Sequence, residues 1–166
     1  IAAVERVGTG LVDDGLQHAS RAVLPWMLAV RGELLEDPQF PEPALQGYRD
    51  ALNRFPRHAG IRIWFGSFLA LLGDHDAIHR ELGGTQDIDG LADQALAQAS
   101  LLAGAFQFEE AVNLLRRTLR LCDSGPRKCS RGAEVAEAAA RNMLLANPSA
   151  SDEAESLLAK WKDPNS

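Results

Sequence analysis

The stretch Ala44-Leu45-Gln46-Gly47-Tyr48-Arg49-Asp50-Ala51-Leu52-Asn53-Arg54-Phe55-Pro56 constrains this chain more than any other. On a helix, Ala44, Tyr48 and Ala51 fall on one stripe. Small side chains there let a neighbouring helix approach, and the Tyr48 ring fills the space between the two axes. Pro56 ends the helix, since it has no amide to donate and drives Phe55 out of the helical region. Such a helix needs a partner at close range, so the spacing predicts the second arm of a helical hairpin.

Punctuation divides the rest of the chain into similar pieces. Ile1, Val4, Val7, Leu11, Leu16, Ala19 and Val23 recur at amphipathic spacing, weakened by Gly8, Gly10 and Gly15, and predict an N-terminal helical segment over 1–24. A helix follows from about Pro25 to Glu36, then the connector Asp37-Pro38-Gln39-Phe40-Pro41-Glu42-Pro43, which no helix crosses. The helix around Ile61 to Leu72 is apolar nearly all round, which places it in the middle of an assembly. Gly73-Asp74 turns the chain, Asp74 caps a short helix over His75–Leu82, and Gly83-Gly84-Thr85-Gln86 breaks it again. Further helices are expected from Ile88 or Asp89 to Ala103, from Phe108 to about Arg120, over Gly132–Ala146 and over Ser151–Lys160. No stretch alternates with β-branched enrichment, so the fold class is all-α.

The second helices align on Ala44, Ile78, Ala111 and Ala154, at spacings near ~34 residues except where the cysteine-flanked loop lengthens the last. Four positions on stand Tyr48, Leu82, Leu115 and Leu158. In these residues the chain resembles the tetratricopeptide repeat family. Gly32 with Leu28 and Leu35, then Ala44, Tyr48, Ala51 and Pro56, match one unit. Phe65, Gly66, Leu69 and Gly73 match the first helix of the next. Phe108-Glu109-Glu110-Ala111, Leu115 and Thr118 match a third, which lacks the usual turn glycine immediately before it.

The resemblance implies a short α-solenoid of helix–turn–helix repeats over 25–166, with units at about 25–58, 59–91, 92–125 and 126–166. It also implies an interaction scaffold that binds a peptide or protein segment in a concave face lined by first helices. Carried over position by position, that face holds Trp26, Ala29 and Glu33, then Ile63, Ser67 and Ala70, then Asp93, Leu96 and Ser100, then Ala139 and Met143. Trp26, Ile63 and Met143 suit a helix core equally well. The family's chaperone-binding members grip a C-terminal carboxylate with Lys, Asn and Arg. Ala29 and Glu33 stand at such positions here, so that ligand is not expected.

Composition narrows the partners. A formal charge of −6 argues against nucleic acid, which wants a basic face. The local cluster Arg116, Arg117, Arg120, Arg127, Lys128 and Arg131 reads differently: its first three members fall in a last helical turn, where they complement the dipole. No apolar run approaches the ~20 residues of a membrane-spanning helix, so insertion is not expected. The chain opens on Ile1 with neither a methionine nor a signal-peptide pattern, as a piece of a larger protein would. Cys122 and Cys129 flank a turn. Either they pin it as a disulfide, which favours a periplasmic or extracytoplasmic compartment, or they are two separate thiols.

Chemistry-bearing constellations are few. His75-Asp76-Ala77-Ile78-His79 places two imidazoles at i and i+4, in the manner of a zinc-protease signature. The shorter Asp reaches a metal-bound water less well than Glu, and the spacing equally suits an exposed helix face. Gly83-Gly84-Thr85 has no strand before it and no Gly-Lys-Ser/Thr end, so it is no phosphate loop. The expectation is therefore a non-catalytic module without a cofactor, part of a larger bacterial protein or complex. Its partner would be a protein or peptide, with homo-oligomerisation left open. The alternative is an accessory domain of an envelope enzyme, for example a metalloprotease, whose catalytic part lies outside this chain.

Overall fold

The computed structural model describes residues 23–125 and 128–162. Among them are eight helices and no strand, so the protein is all-α. The expected N-terminal segment lies almost wholly outside the described residues. Contacts divide the chain into two compact units, 1–61 and 62–166, with the boundary inside a helix.

In the first unit, α1 (23–34) and α2 (Glu42–Arg54) form a pair. α1 stops two residues short of Glu36 in a tight last turn, Leu35 N–H bonding Gly32 O and Glu36 N–H bonding Glu33 O. In the proline-rich connector, the Gln39 N–H bonds the Asp37 carboxylate at 2.9 Å. Pro41 and Pro43 then stand at the start of α2, where a missing amide costs nothing. Ala44, Leu45, Tyr48 and Ala51 are the buried face of α2. The Tyr48 ring lies where a side chain on Gly32 would be, its Cζ 2.7 Å from the position of such a Cβ. Its hydroxyl donates to Glu36 Oε1 at 2.5 Å. Trp26 meets His58 edge-on at 5.0 Å, and burial holds the His58 imidazole below its ordinary value of 6.5.

The second unit contains residues 62–71 of α3 (Ala59–Leu71), α4 (His75–Leu82), α5 (Thr85–Gly104), α6 (Phe108–Cys122), α7 (Gly132–Ala146) and α8 (Ser151–Lys162). Seven consecutive residues of α3, Ile63 to Leu69, are buried. Gly66 makes this dense packing feasible: a Cβ there would run into Leu82 of α4 and Leu121 of α6. Asp74 caps α4 through the Ala77 N–H at 3.0 Å. The break after α4 is shorter than expected. Gly83 takes the left-handed region at φ +89°, and α5 begins already at Thr85 because the Asp87 carboxylate reaches back to the Gly84 N–H at 3.0 Å. From α5 onward successive helices pack on one another, α5 on α6, α6 on α7 and α7 on α8, with α5 also touching α7.

Two of the helix ends share one hydrogen-bond pattern. After α3, the Gly73 N–H bonds Ala70 O and the Asp74 N–H bonds Leu69 O. After α5, the Phe106 N–H bonds Ala103 O and the Gln107 N–H bonds Leu102 O. Both are Schellman turns, whose pivot residue sits in the left-handed region. In one turn the pivot is Gly73, at φ +75°; in the other it is Phe106, at φ +60°.

Cys122 and Cys129 are joined in a disulfide that closes the α6–α7 turn, their Cα atoms 4.8 Å apart. Next to it, the Lys128 ammonium lies 5.0 Å from the centre of the Trp161 ring. That ring in turn occupies the space a side chain on Gly132 would need.

Candidate functional site

The residues expected to face a ligand differ in their individual exposure. Ala29, Ile63, Ser67 and Ala139 are fully buried, and Met143 is 4% exposed. The helical period put them on an inward face and could not say whether that face was lined by solvent or by another helix. Ser67 illustrates the outcome. Its hydroxyl donates to Trp64 O at 2.9 Å and accepts from Arg117 Nη1 at 2.8 Å, while the same guanidinium stacks 5.2 Å over the Trp64 ring. Arg117 is thus a buried brace between α6 and α3, not a partner of the helix dipole. Trp26, Glu33 and Ala70 are half-buried.

On α5, Asp93 and Ser100 are exposed and Leu96 is half-buried, at the i, i+3, i+7 spacing of one face. Asp93 is engaged by Arg131 Nε at 2.8 Å. His75 and His79 are both exposed on α4, and His79 Nδ1 lies 3.3 Å from Gly83 O. Among the described residues no group of three or more His, Cys, Asp and Glu is placed to hold a metal ion. Nor is any of their helices long and apolar enough to cross a membrane.

Among the described residues, the second unit has open space between α6, α7 and α8. One cavity of about 190 Å³ is lined by Glu109, Val112 and Arg116 of α6, Met143 and Ala146 of α7, and Asn147, Ala150 and Glu153. Its floor is apolar because Met143 packs with Ala140 and Ala154 against Val112, Leu157 and Leu158. An ion pair between Arg116 and Glu153 ties α6 to α8 across it.

A second cavity of about 270 Å³ adjoins the first, sharing Glu109 and Ala146, and adds Phe106, Phe108, Glu110 and Leu145. Apolar side chains border it from the solvent side, with Phe106 82% and Leu145 55% exposed, and Glu109 and Glu110 stand beside them. The Phe106 and Phe108 rings meet edge to face at 6.1 Å. Both cavities open beside the first turn of α6, where Glu109 and Glu110 suit the positive end of the helix dipole.

Of the residues expected from the sequence to face a ligand, Met143 alone lines these two cavities. A signal for the rest was present: the repeat lacks a turn glycine just before Phe108, and the residue in that place is Phe106. No protein-family model matches the chain, and no curated protein or solved structure matches it.

Proposed function

We propose that this protein is an interaction module of stacked helical hairpins, similar in plan to tetratricopeptide repeats, which holds a segment of another protein in the α6–α7–α8 cleft. The observation that carries the reading is Phe106. A large apolar ring stands almost fully in water on a backbone conformation that glycine adopts at no steric cost. Neither choice serves the fold, so the residue earns its place by what it touches outside the chain. The helix-by-helix packing from α5 to α8 supports the repeat plan, since each element rests mainly on its neighbours in sequence. The disulfide between Cys122 and Cys129 suits an oxidising compartment outside the cytoplasm.

Selection from a random peptide library on the immobilised full chain tests the proposal. The expected result is peptides that bind saturably at one site per chain. Their affinity falls at least about tenfold when Leu145→Asp replaces this aliphatic lining side chain with a charge. Leu145 is exposed enough that the substitution leaves the fold intact, which far-UV circular dichroism verifies. Peptides that bind the Leu145→Asp protein unchanged, or a library that yields none, would remove the cleft as the docking site.

A further inference from the structure

We infer that the Phe106 end of the cleft recognises a basic side chain flanked by an apolar one, so that the bound segment carries Lys or Arg beside a residue such as Leu. This rests on the docking reading above and adds the chemistry of the occupant. Phe106 presents its ring to solvent while its contact with Phe108 is edge to face. An exposed aromatic face carries negative potential and attracts a cation. Glu109 and Glu110 border the same cavity, and neither has a hydrogen-bond or ion-pair partner among the described residues. Arg116, the nearest cation on the same helix face, is already engaged by Glu153.

A guanidinium or ammonium entering here meets two unspent carboxylates and an aromatic face. The apolar neighbour then meets Leu145 and the floor formed by Val112 and Met143. A second copy of the chain is a poor occupant, because it brings a net charge of −6 to an acidic mouth.

The test uses three probe peptides in one Gly-Ser frame, carrying Arg-Leu, citrulline-Leu or Glu-Leu, titrated into the isotope-labelled full chain. Citrulline keeps the shape of arginine and removes its charge. The expected result is that Arg-Leu shifts amides near 106–110 and 143–146. Citrulline-Leu binds about fivefold more weakly or worse, Glu-Leu does not bind, and added salt weakens the Arg-Leu complex. In the Glu109→Gln/Glu110→Gln protein, Arg-Leu binding drops about tenfold while the far-UV spectrum is unchanged.

Citrulline-Leu binding as well as Arg-Leu, or an unaffected double variant, overturns the basic specificity and leaves the cleft reading standing. Concentration-dependent shifts of the same amides without any peptide would mean that a second copy fills the cleft, and would overturn it too. If Arg-Leu moves no cleft amide and the library also yields nothing, both readings fall together.

Discussion

Phe106 allows a test in which the sign of an effect, and not only its size, is decided by the structure. Its left-handed backbone costs a residue with a Cβ about 1–2 kcal/mol. Glycine escapes that cost but gives the unfolded chain more freedom, which takes back about 0.4–1 kcal/mol. Phe106→Gly and Phe106→Ala both delete the ring and its contact with Phe108, so that loss cancels between them. The glycine protein is therefore expected to be more stable than the alanine protein by about 0.5–1 kcal/mol. In a helix interior the order reverses, with glycine worse by about 0.8–1.0 kcal/mol. Urea unfolding followed by circular dichroism reads the difference as a midpoint shift of about 0.3–0.5 M for a slope near 2 kcal/mol/M. An alanine protein as stable as the glycine one, or more so, would show that position 106 is not a left-handed pivot. The argument that Phe106 is kept for contact outside the chain would go with it.

Three further outcomes follow from the packing. Removing the disulfide with Cys122→Ser/Cys129→Ser frees a loop of sequence separation 7, and the chain-entropy relation puts the loss at about 2.4 kcal/mol, measurable as a lowered urea midpoint. Gly66→Ala drives a methyl into Leu82 and Leu121 inside a helix buried on all sides and is expected to cost about 1–3 kcal/mol, read by thermal unfolding. His58 titrates below 6.5 in the fold because it is buried, so the unfolded chain binds its proton more readily. Stability from this group is complete above 6.5 and is lost as pH falls through the lower folded value. Protonation also removes the Nδ1 acceptor that the Ile61 N–H uses, and His58→Gln should flatten the acid limb of a stability–pH profile.

The helices were legible where local chemistry settles the matter. Gly73 and Asp74 between α3 and α4, and Asn147-Pro148 between α7 and α8, each act on the backbone beside them, and that information lies within a few residues; α2 opens at Glu42, two residues ahead of the expected Ala44, because Pro43 fits a first helical turn as well as a connector. α5 starts at Thr85, ahead of the expected Ile88 or Asp89, because its cap comes from Asp87, downstream of the Gly83-Gly84 break. The cleft was not legible because its parts meet over long separations. Arg116 and Glu153 are 37 positions apart, and outside the cleft the buried contact of Arg117 with Ser67 spans 50. A periodic pattern says that Met143 and Ser67 turn inward, and only the neighbours across the interface decide what they meet.

The disulfide and the cleft sit at opposite ends of the same helical hairpin. Cys122 ends α6 and Cys129 precedes α7, whereas Phe106 precedes α6 and Leu145 lies at the close of α7. Fifteen-residue arms about 22 Å long are thus joined by a covalent bond at one end, while towards the other the packing of Val112 with Met143 holds them together. Separation of the arms is barred by the sulfur bridge at one end, and near the exposed aromatic it is opposed by side-chain packing alone.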